Sequence, residues 1–186
     1  MPIERRDIER IVRDVVETAV PDEPETSVPP HQGPVSATDG RIAIGSDHGG
    51  FELKETLRRY LEDELGYTVV DVGVHDGASC DYPDYALKVA NAVADGSCVR
   101  GIMIDGAGIG SSMSANRVPG VLAACCHDVA TAINSREHNG ANVLTLGSGV
   151  VPRGLARQMV RTWLATGFGG GRHERRVKKI IDMERR

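Results

Sequence analysis

From residue 41 onward, short apolar runs alternate with stretches in which apolar residues recur with the period of a helix. The apolar runs predict strands at 42–44, 68–72, 102–104, 121–126 and 142–146. The periodic stretches predict helices at 51–64, from Pro83, from Ser111, at 127–137, at 152–166 and from Arg172. Strands that alternate with helices form right-handed βαβ units. The pattern therefore predicts an α/β fold with a five-stranded parallel sheet covered by helices on both faces.

The first 40 residues follow a different pattern. Between residues 1 and 20 one apolar stripe runs through Ile8, Ile11, Val12, Val15, Val16 and Ala19, which predicts an amphipathic helix. Residues 21–40 contain five prolines and two glycines and read as a flexible linker to a domain at 41–186. A lone helix of this length is marginal in water. Its stripe needs a surface to bury against: its own domain, another copy of the chain or, as the long linker favours, a partner protein.

Composition narrows the class of protein. The formal net charge is −4 and no basic run is interleaved with aromatic residues, so a nucleic-acid partner is not expected. No apolar run approaches the ~20 residues of a membrane helix, and the N-terminus lacks a secretory core. The four cysteines show no CxxC spacing. That usage fits free thiols in a reducing, cytoplasmic setting better than disulfides or a metal site.

The segment RGIMIDGAGIGSSMSAN, residues 100–116, combines a buried strand, a glycine-rich turn and the start of a helix. Glycines at 106, 108 and 110 allow backbone N–H groups to converge, and a helix N-terminus favours negative charge. Asp105 at the edge of such a cradle would repel a resident anion, but it suits an anion that forms when Asp105 moves a proton. The alternative is an ordinary turn in which Asp105 is a solvated cap.

Ligands of parallel sheets bind at the carboxyl ends of the strands. Polar and titratable residues gather at these ends, at 47–48, 80–82, 105, 126–127 and 147–149. A pocket is therefore expected at this edge of the sheet.

Five motifs then place residues 41–186 in a known family. They are GSDHGGFELK (45–54), DYPDYA (81–86), DGAGIGSSMSANR (105–117), REHNGANVL (136–144) and GGRHERRV (170–177). The chain resembles the ribose-5-phosphate isomerase B family, which includes galactose-6-phosphate isomerase subunits. The resemblance implies a Rossmann-like three-layer α/β/α sandwich, a homodimer or tetramer with active sites at the dimer interface, and no metal or other cofactor.

The chemistry implied by the resemblance is aldose–ketose isomerisation of a phosphosugar, ribose 5-phosphate to ribulose 5-phosphate, through an enediolate. Asp105 is the expected base, and His138, helped by Tyr82 and Asp81, the ring-opening residue. Other substrate ligands by resemblance are Asp47, His48, Asn139, the oxyanion loop of Gly106, Ala107, Gly108, Ile109, Gly110 and Ser111, and a phosphate clamp of Arg172 and Arg176, often supplied across the interface.

The sequence departs from the family pattern at several positions. Asp105 stands where many members have a cysteine base, and Ser111 where others have a glutamate. A carboxylate with the ordinary pKa of about 3.9 is a weak base, so Asp105 is expected to be buried, with its pKa raised. Cys126, at the end of the next strand, is the alternative base or nucleophile. Gly149 stands where the family usually has an arginine that helps to bind phosphate, and Arg153 could take the role of that arginine.

Ala107 also replaces a hydroxyl residue common in the loop. These departures leave open a tetrose 4-phosphate or hexose 6-phosphate substrate, or an inactive phosphosugar-binding homologue. Cys80 and His173 are interpreted as structural residues. A nucleotide-binding enzyme is disfavoured because the first turn reads GSDHGG instead of GxGxxG.

Residues 1–20 with their linker resemble the encapsulation peptides of bacterial microcompartment enzymes. Such peptides are short amphipathic helices that bind shell proteins. The resemblance implies a shell protein as partner and a location inside a microcompartment.

Overall fold

A computed structural model describes residues 40–183. The predicted helix at 1–20 lies outside the described residues, as does the linker up to residue 39. The strands are β1 (Arg41–Ser46), β2 (Thr68–Asp71), β3 (Arg100–Asp105), β4 (Ala123–Cys125) and β5 (Val143–Gly147). The helices are α1 (Phe51–Arg59), α2 (Tyr82–Ala94), α3 (Ile109–Ala115), α4 (Val129–Glu137), α5 (Arg153–Ala165) and α6 (Arg172–Met183).

The five strands form one parallel sheet in the order β2-β1-β3-β5-β4, which confirms the predicted Rossmann-like α/β fold. The chain leaves β1 toward β2 and then crosses to β3 on the other side of β1, so the strand order switches between β1 and β3. A crevice forms at such a switch point, outside the carboxyl ends of the two strands. Asp47 follows β1 there, and Asp105 ends β3.

Two apolar cores cover the two faces of the sheet. One includes Ile44 and Ile104 packed with Trp163 of α5, and the other includes Met103 packed with Val89 of α2. All six residues of β3 are buried, because successive side chains of this central strand enter opposite cores. The result is a three-layer α/β/α arrangement. Helix α6 contributes little to either core, since Val177 is its one buried residue.

Some element boundaries differ from the prediction. Helix α3 begins at Ile109, two residues before the expected Ser111, because Gly108 adopts φ +80° and turns the chain sharply into the helix. Strand β4 begins at Ala123 and not at residue 121, since the N–H of Leu122 donates to the side chain of Asn142 instead of a neighbouring strand. Helix α1 continues as a π-helical turn, Tyr60–Glu64, to the predicted end.

Gly50 brings the turn after β1 against the end of β3. A β-carbon at Gly50 would overlap the carbonyl group of Ile104, so only glycine permits this approach. The contact holds Asp47 beside the glycine-rich loop. Within residues 40–183, no helix is long and apolar enough to cross a membrane.

Candidate active site

The carboxylate of Asp105 lies inside the glycine-rich loop. Its side chain is buried, and its Oδ1 accepts hydrogen bonds from the N–H of Ala107 at 2.8 Å and from the N–H of Gly108. Its Oδ2 accepts from the N–H of Ser111 at 3.1 Å and from the Ser111 hydroxyl at 2.5 Å. A carboxylate offers about four acceptor positions, and here all of them are used.

This geometry combines the two interpretations that the sequence left open. Asp105 caps its own loop, but it is buried and not solvated, and its charge fills part of the cradle of N–H groups. The donors to Asp105 do not include the amides of Gly106, Ile109 and Gly110, and Gly106 and Ile109 are exposed. These three amides are the ones in the loop that the carboxylate leaves unused.

The turns after β1 and β5 support the glycine-rich loop. The Ser148 hydroxyl donates to the carbonyl of Gly49 at 2.8 Å, and the Ser148 N–H donates to the carbonyl of Asp105 at 2.8 Å. Asp47 is also buried, and its Oδ1 accepts from the N–H of Gly50 at 2.9 Å. Ser148 therefore joins the three turns that follow the central strands.

Tyr82 and His48 border the same loop. The Tyr82 ring lies against Gly110, where an added β-carbon would be 2.5 Å from the ring. His48 is exposed, and its Nδ1 accepts from the N–H of Cys80 at 3.3 Å, so the neutral ring carries its proton on Nε2. The exposed Asp81 precedes α2. Cys80, which the sequence analysis interpreted as structural, therefore contacts His48, a candidate substrate-binding residue. The position of Cys80 directly before the DYPDYA motif was the signal in the sequence that could have indicated this.

The side chains of the adjacent residues Cys125 and Cys126 lie in different environments. The Cys125 Sγ lies 3.7 Å from the carbonyl oxygen of Ala107 and 3.8 Å from the Nε2 of His127, at the outer side of the loop. Cys126 is buried in the core that contains Trp163. Burial raises the pKa of both thiols, which disfavours the thiolate that a cysteine base needs.

His138 lies at the other edge of the sheet. Helix α4 starts at the carboxyl end of β4 and ends before the first residue of β5, so His138 and Asn139 follow it at the amino ends of the strands. Helix α6 begins nearby: the N–H of Gly169 donates to the carbonyl of Glu137 at 2.8 Å. The ring of His173 stacks on that of His138, with centroids 4.3 Å apart and planes 4° from parallel.

The predicted site residues therefore form two groups within one chain. The carboxyl-edge group comprises Asp47, His48, Asp81, Tyr82, Asp105 and residues 106–111. The amino-edge group comprises His138, Asn139, Arg172 and Arg176. Strand β5 has five residues, so at about 3.3 Å per residue the two edges are roughly 15 Å apart. A small ligand held by one group does not reach the other in the same chain.

The described residues also bear on metal binding. Between residues 40 and 183, no three His, Cys, Asp or Glu side chains lie close enough together to hold a metal ion. The carboxyl edge offers the buried carboxylates of Asp47 and Asp105, the Ser111 hydroxyl, backbone amides, and the exposed side chains of His48, Asp81 and Tyr82.

Comparison with known proteins identifies the family of this chain. The Ribose/Galactose Isomerase family model matches residues 42–180. Ribose-5-phosphate isomerase B of Escherichia coli is 44% identical over 146 residues, which are 78% of this chain and 97% of that protein. The D-erythrulose-4-phosphate isomerase of Pectobacterium atrosepticum is 41% identical over 140 residues, which are 75% of this chain and 91% of that protein.

A solved structure agrees as well. Ribose-5-phosphate isomerase B of Clostridium thermocellum superposes with a TM-score of 0.77 and 52% identity, covering 78% of this chain and 97% of that one. The chain belongs to the Ribose/Galactose Isomerase family. The family match starts after the segment that carries the predicted N-terminal helix and linker.

Proposed function

We propose that this sugar-phosphate isomerase, which is of the ribose-5-phosphate isomerase B type, interconverts ribose 5-phosphate and ribulose 5-phosphate through an enediolate. The observation that carries the proposal is the buried carboxylate of Asp105 in a loop of backbone amides, at the switch point of the sheet. A base next to N–H groups suits a reaction in which removal of a proton creates an oxyanion.

Asp105 is the proposed base, and Ser111 controls its access to the substrate. Three of the four donors to the carboxylate are backbone amides, which are fixed, whereas the Ser111 hydroxyl can rotate. When it turns away, Oδ2 gains a free acceptor position and takes the proton from C2 of the open-chain aldose. The same carboxyl group returns that proton to C1, and the proton of the C2 hydroxyl passes to O1, which completes the ketose.

The remaining loop amides stabilise the charge that develops. Removal of the C2 proton places negative charge on the substrate's carbonyl oxygen, and the amides of Gly106, Ile109 and Gly110 are the proposed donors to it. Preorganised donors of this kind each contribute roughly 10²–10³ in rate in other enzymes. Tyr82, Asp47 and His48 border the loop and are proposed to bind the sugar hydroxyls.

The two-edged distribution of residues supports a homodimer with composite active sites. Residues roughly 15 Å apart across one sheet meet on one substrate if the amino edge of one copy faces the carboxyl edge of the other. In this arrangement His138 opens the sugar ring bound by the partner. Arg172 and Arg176, one helical turn apart and exposed on α6, bind its phosphate as a pair of guanidinium forks.

A shorter substrate is the second candidate. The relative named D-erythrulose-4-phosphate isomerase is 41% identical to this chain, close to the 44% of the Escherichia coli ribose-5-phosphate isomerase B. At the carboxyl edge Gly149 supplies no side chain, and Arg153 forms an ion pair with Glu52 at 2.7 Å. Both features support a pocket in which the phosphate is not bound by an arginine at position 149 or 153. A tetrose 4-phosphate or a hexose 6-phosphate therefore stays a candidate substrate.

The substrate proposal is tested by assaying tetrose 4-phosphates, pentose 5-phosphates and hexose 6-phosphates for aldose–ketose conversion with the full chain. We expect ribose 5-phosphate to have the highest kcat/KM, by at least about tenfold, because a wrong sugar length misplaces C2 relative to Asp105. A higher value for a tetrose 4-phosphate would transfer the assignment to that sugar. Absence of conversion, and of deuterium exchange at C2, for every sugar would identify a binding protein.

The role of Asp105 is tested by two substitutions that both remove the carboxylate. Asp105→Asn is expected to lower kcat by at least about 10³-fold, because an amide is not a base. Asp105→Cys also loses the hydrogen bonds of the carboxylate but restores a group that ionises, so we expect about ten times more activity than for Asp105→Asn.

Ser111→Ala is the control for the loop, since it removes one of the four donors and keeps the base. We expect it to retain at least about a tenth of the kcat of the unmodified chain. Equal loss in Asp105→Cys and Asp105→Asn, with the thermal transition lowered in both, would assign Asp105 a structural role only.

The composite site is tested by mixing two inactive variants. Asp105→Asn and His138→Asn each disable both sites of their own homodimer. After unfolding and refolding of an equal mixture, half of the dimers contain one site built from two unmodified groups, so about a quarter of the normal activity is expected. Mixing without refolding is the control. Absence of recovered activity, with heterodimers detected by native mass spectrometry, would contradict a shared site.

The N-terminal pattern supports a proposal about location. Residues 1–20 carry one apolar stripe on a charged segment, and the linker separates them from the family domain. An apolar helix face on a flexible linker can bind a partner protein. We propose that this partner is a shell protein of a cytoplasmic bacterial microcompartment.

A fluorescent protein fused to residues 1–40 provides the test. In bacteria that form shells, we expect fluorescence in discrete bodies that coincide with labelled shell protein. Val12→Asp places a charge in the stripe and should disperse the signal, because it interrupts the apolar contact. Arg13→Asp makes a comparable change on the polar face and should not. Diffuse fluorescence of the unmodified fusion would reject the targeting role.

A further inference from the structure

The imidazole of His138 has two side-chain neighbours to which the motifs assigned no function. Its Nδ1 lies 2.7 Å from Nδ2 of Asn134, one turn earlier on α4. His173 covers one face of the ring in a parallel stack at 4.3 Å. Asn134 also receives a hydrogen bond, from the Asn139 Nδ2 to its Oδ1 at 3.4 Å.

These contacts determine which nitrogen of His138 carries the proton. An Asn amide has a donor end and an acceptor end, and its orientation follows from its hydrogen-bond partners. The N–H of Asn139 occupies the oxygen of Asn134, so the nitrogen of Asn134 faces the ring. The Nδ1 of His138 must then accept, and the proton of the neutral ring resides on Nε2.

Contact with His138 favours the neutral form of His173. Two imidazolium rings in contact repel each other. Burial, and next the proximity of His138, lower the pKa of His173, while the charges of Arg172 and Arg176 act in the same direction. Glu137 is the neighbouring group that acts in the opposite direction.

We propose that Asn134 is a positioning residue that holds His138 in the Nε2–H tautomer, so that His138 presents a hydrogen-bond donor and not a base to the sugar. This inference rests on the proposed function. A donor at the ring oxygen stabilises the charge that develops there as its bond to C1 breaks, in the same way that a neutral imidazole polarises a carbonyl oxygen. The proton that the C1 hydroxyl loses as it becomes the aldehyde passes through solvent water to the ring oxygen. The His173 stack covers one ring face and leaves the Nε2 edge for the substrate.

The tautomer is measured directly by nitrogen NMR of the full chain with ¹⁵N-labelled histidine, at a pH where His138 is neutral. The signals of His138 are identified by their loss in His138→Gln. We expect Nε2 to carry the proton in the unmodified protein. Asn134→Asp offers only acceptors, so the proton should move to Nδ1. Asn91→Asp makes the same chemical change on the exposed side of α2 and should leave the tautomer unchanged.

Kinetics supply the second readout. We expect Asn134→Asp to lower kcat for the cyclic aldose about 10²-fold with KM changed less than about threefold, because the donor is lost while binding is kept. Exchange of the ketose C1 hydrogen with solvent needs no ring opening and should stay within about threefold. Asn91→Asp should match the unmodified chain in both assays.

The outcomes separate this inference from the proposed function. A proton on Nδ1 in the unmodified protein, or a tautomer that Asn134→Asp does not change, would overturn the inference even if the enzyme is active. Equal loss of ring-opening turnover and hydrogen exchange would also overturn it, since it would indicate general damage. An inactive unmodified chain would instead remove the proposed function, whatever the tautomer.

Discussion

The organisation of the carboxyl edge depends on the burial of one charge. A buried carboxylate is unstable unless donors replace the water it has lost, and Asp105 obtains all of them from the six residues after it in the chain. This requires Gly108 at φ +80° and a close passage of Gly147 past the backbone of Ala107. The pairing of Asp105 with Gly147 at the end of the sheet provides that passage. The burial of Asp105, the conformation of the loop and the register of the strands therefore depend on one another, and the proposed base is also the residue that shapes the loop.

The same sheet that presents Asp105 keeps His138 away from it. In a parallel sheet the segments that leave the strands lie at one edge and the segments that enter them lie at the other, and α4 carries His138 between the two. In the proposed dimer a single copy would therefore contribute half of each of two sites. The stack of His138 on His173 also connects the proposed ring-opening group to α6, the helix with the arginines of the proposed clamp. In the proposed dimer the partner's contribution would arrive as one unit.

Periodicity predicted the sheet and most helix positions, because burial on both faces of the strands leaves a strong apolar signal. The start of α3 was missed because the left-handed conformation of Gly108 is a local choice that three alternating glycines leave ambiguous. The motifs found Asp105, but not its four donors, which depend on side-chain orientation. Asn134 carries no pattern of its own and matters because α4 brings it to His138. Cys80 is indicated only by its place before the DYPDYA motif, and it matters because the β2–α2 loop brings it to His48. The division into two edges could be deduced from the element order alone, since parallel topology requires it.

The replacement of the usual cysteine by Asp105 changes how the loop is held. A thiolate offers one weakly accepting sulfur, whereas the carboxylate accepts from four donors, one of which is the hydroxyl of Ser111. Asp105 and Ser111 therefore work as a pair. With Gly149 lacking a side chain and Arg153 paired to Glu52, the proposed phosphate anchor lies wholly on the partner's α6. The distance from base to phosphate is then set by how two copies dock and not by the geometry of one chain, so substitutions at the interface, and not only in the pocket, would alter which sugar length is accepted.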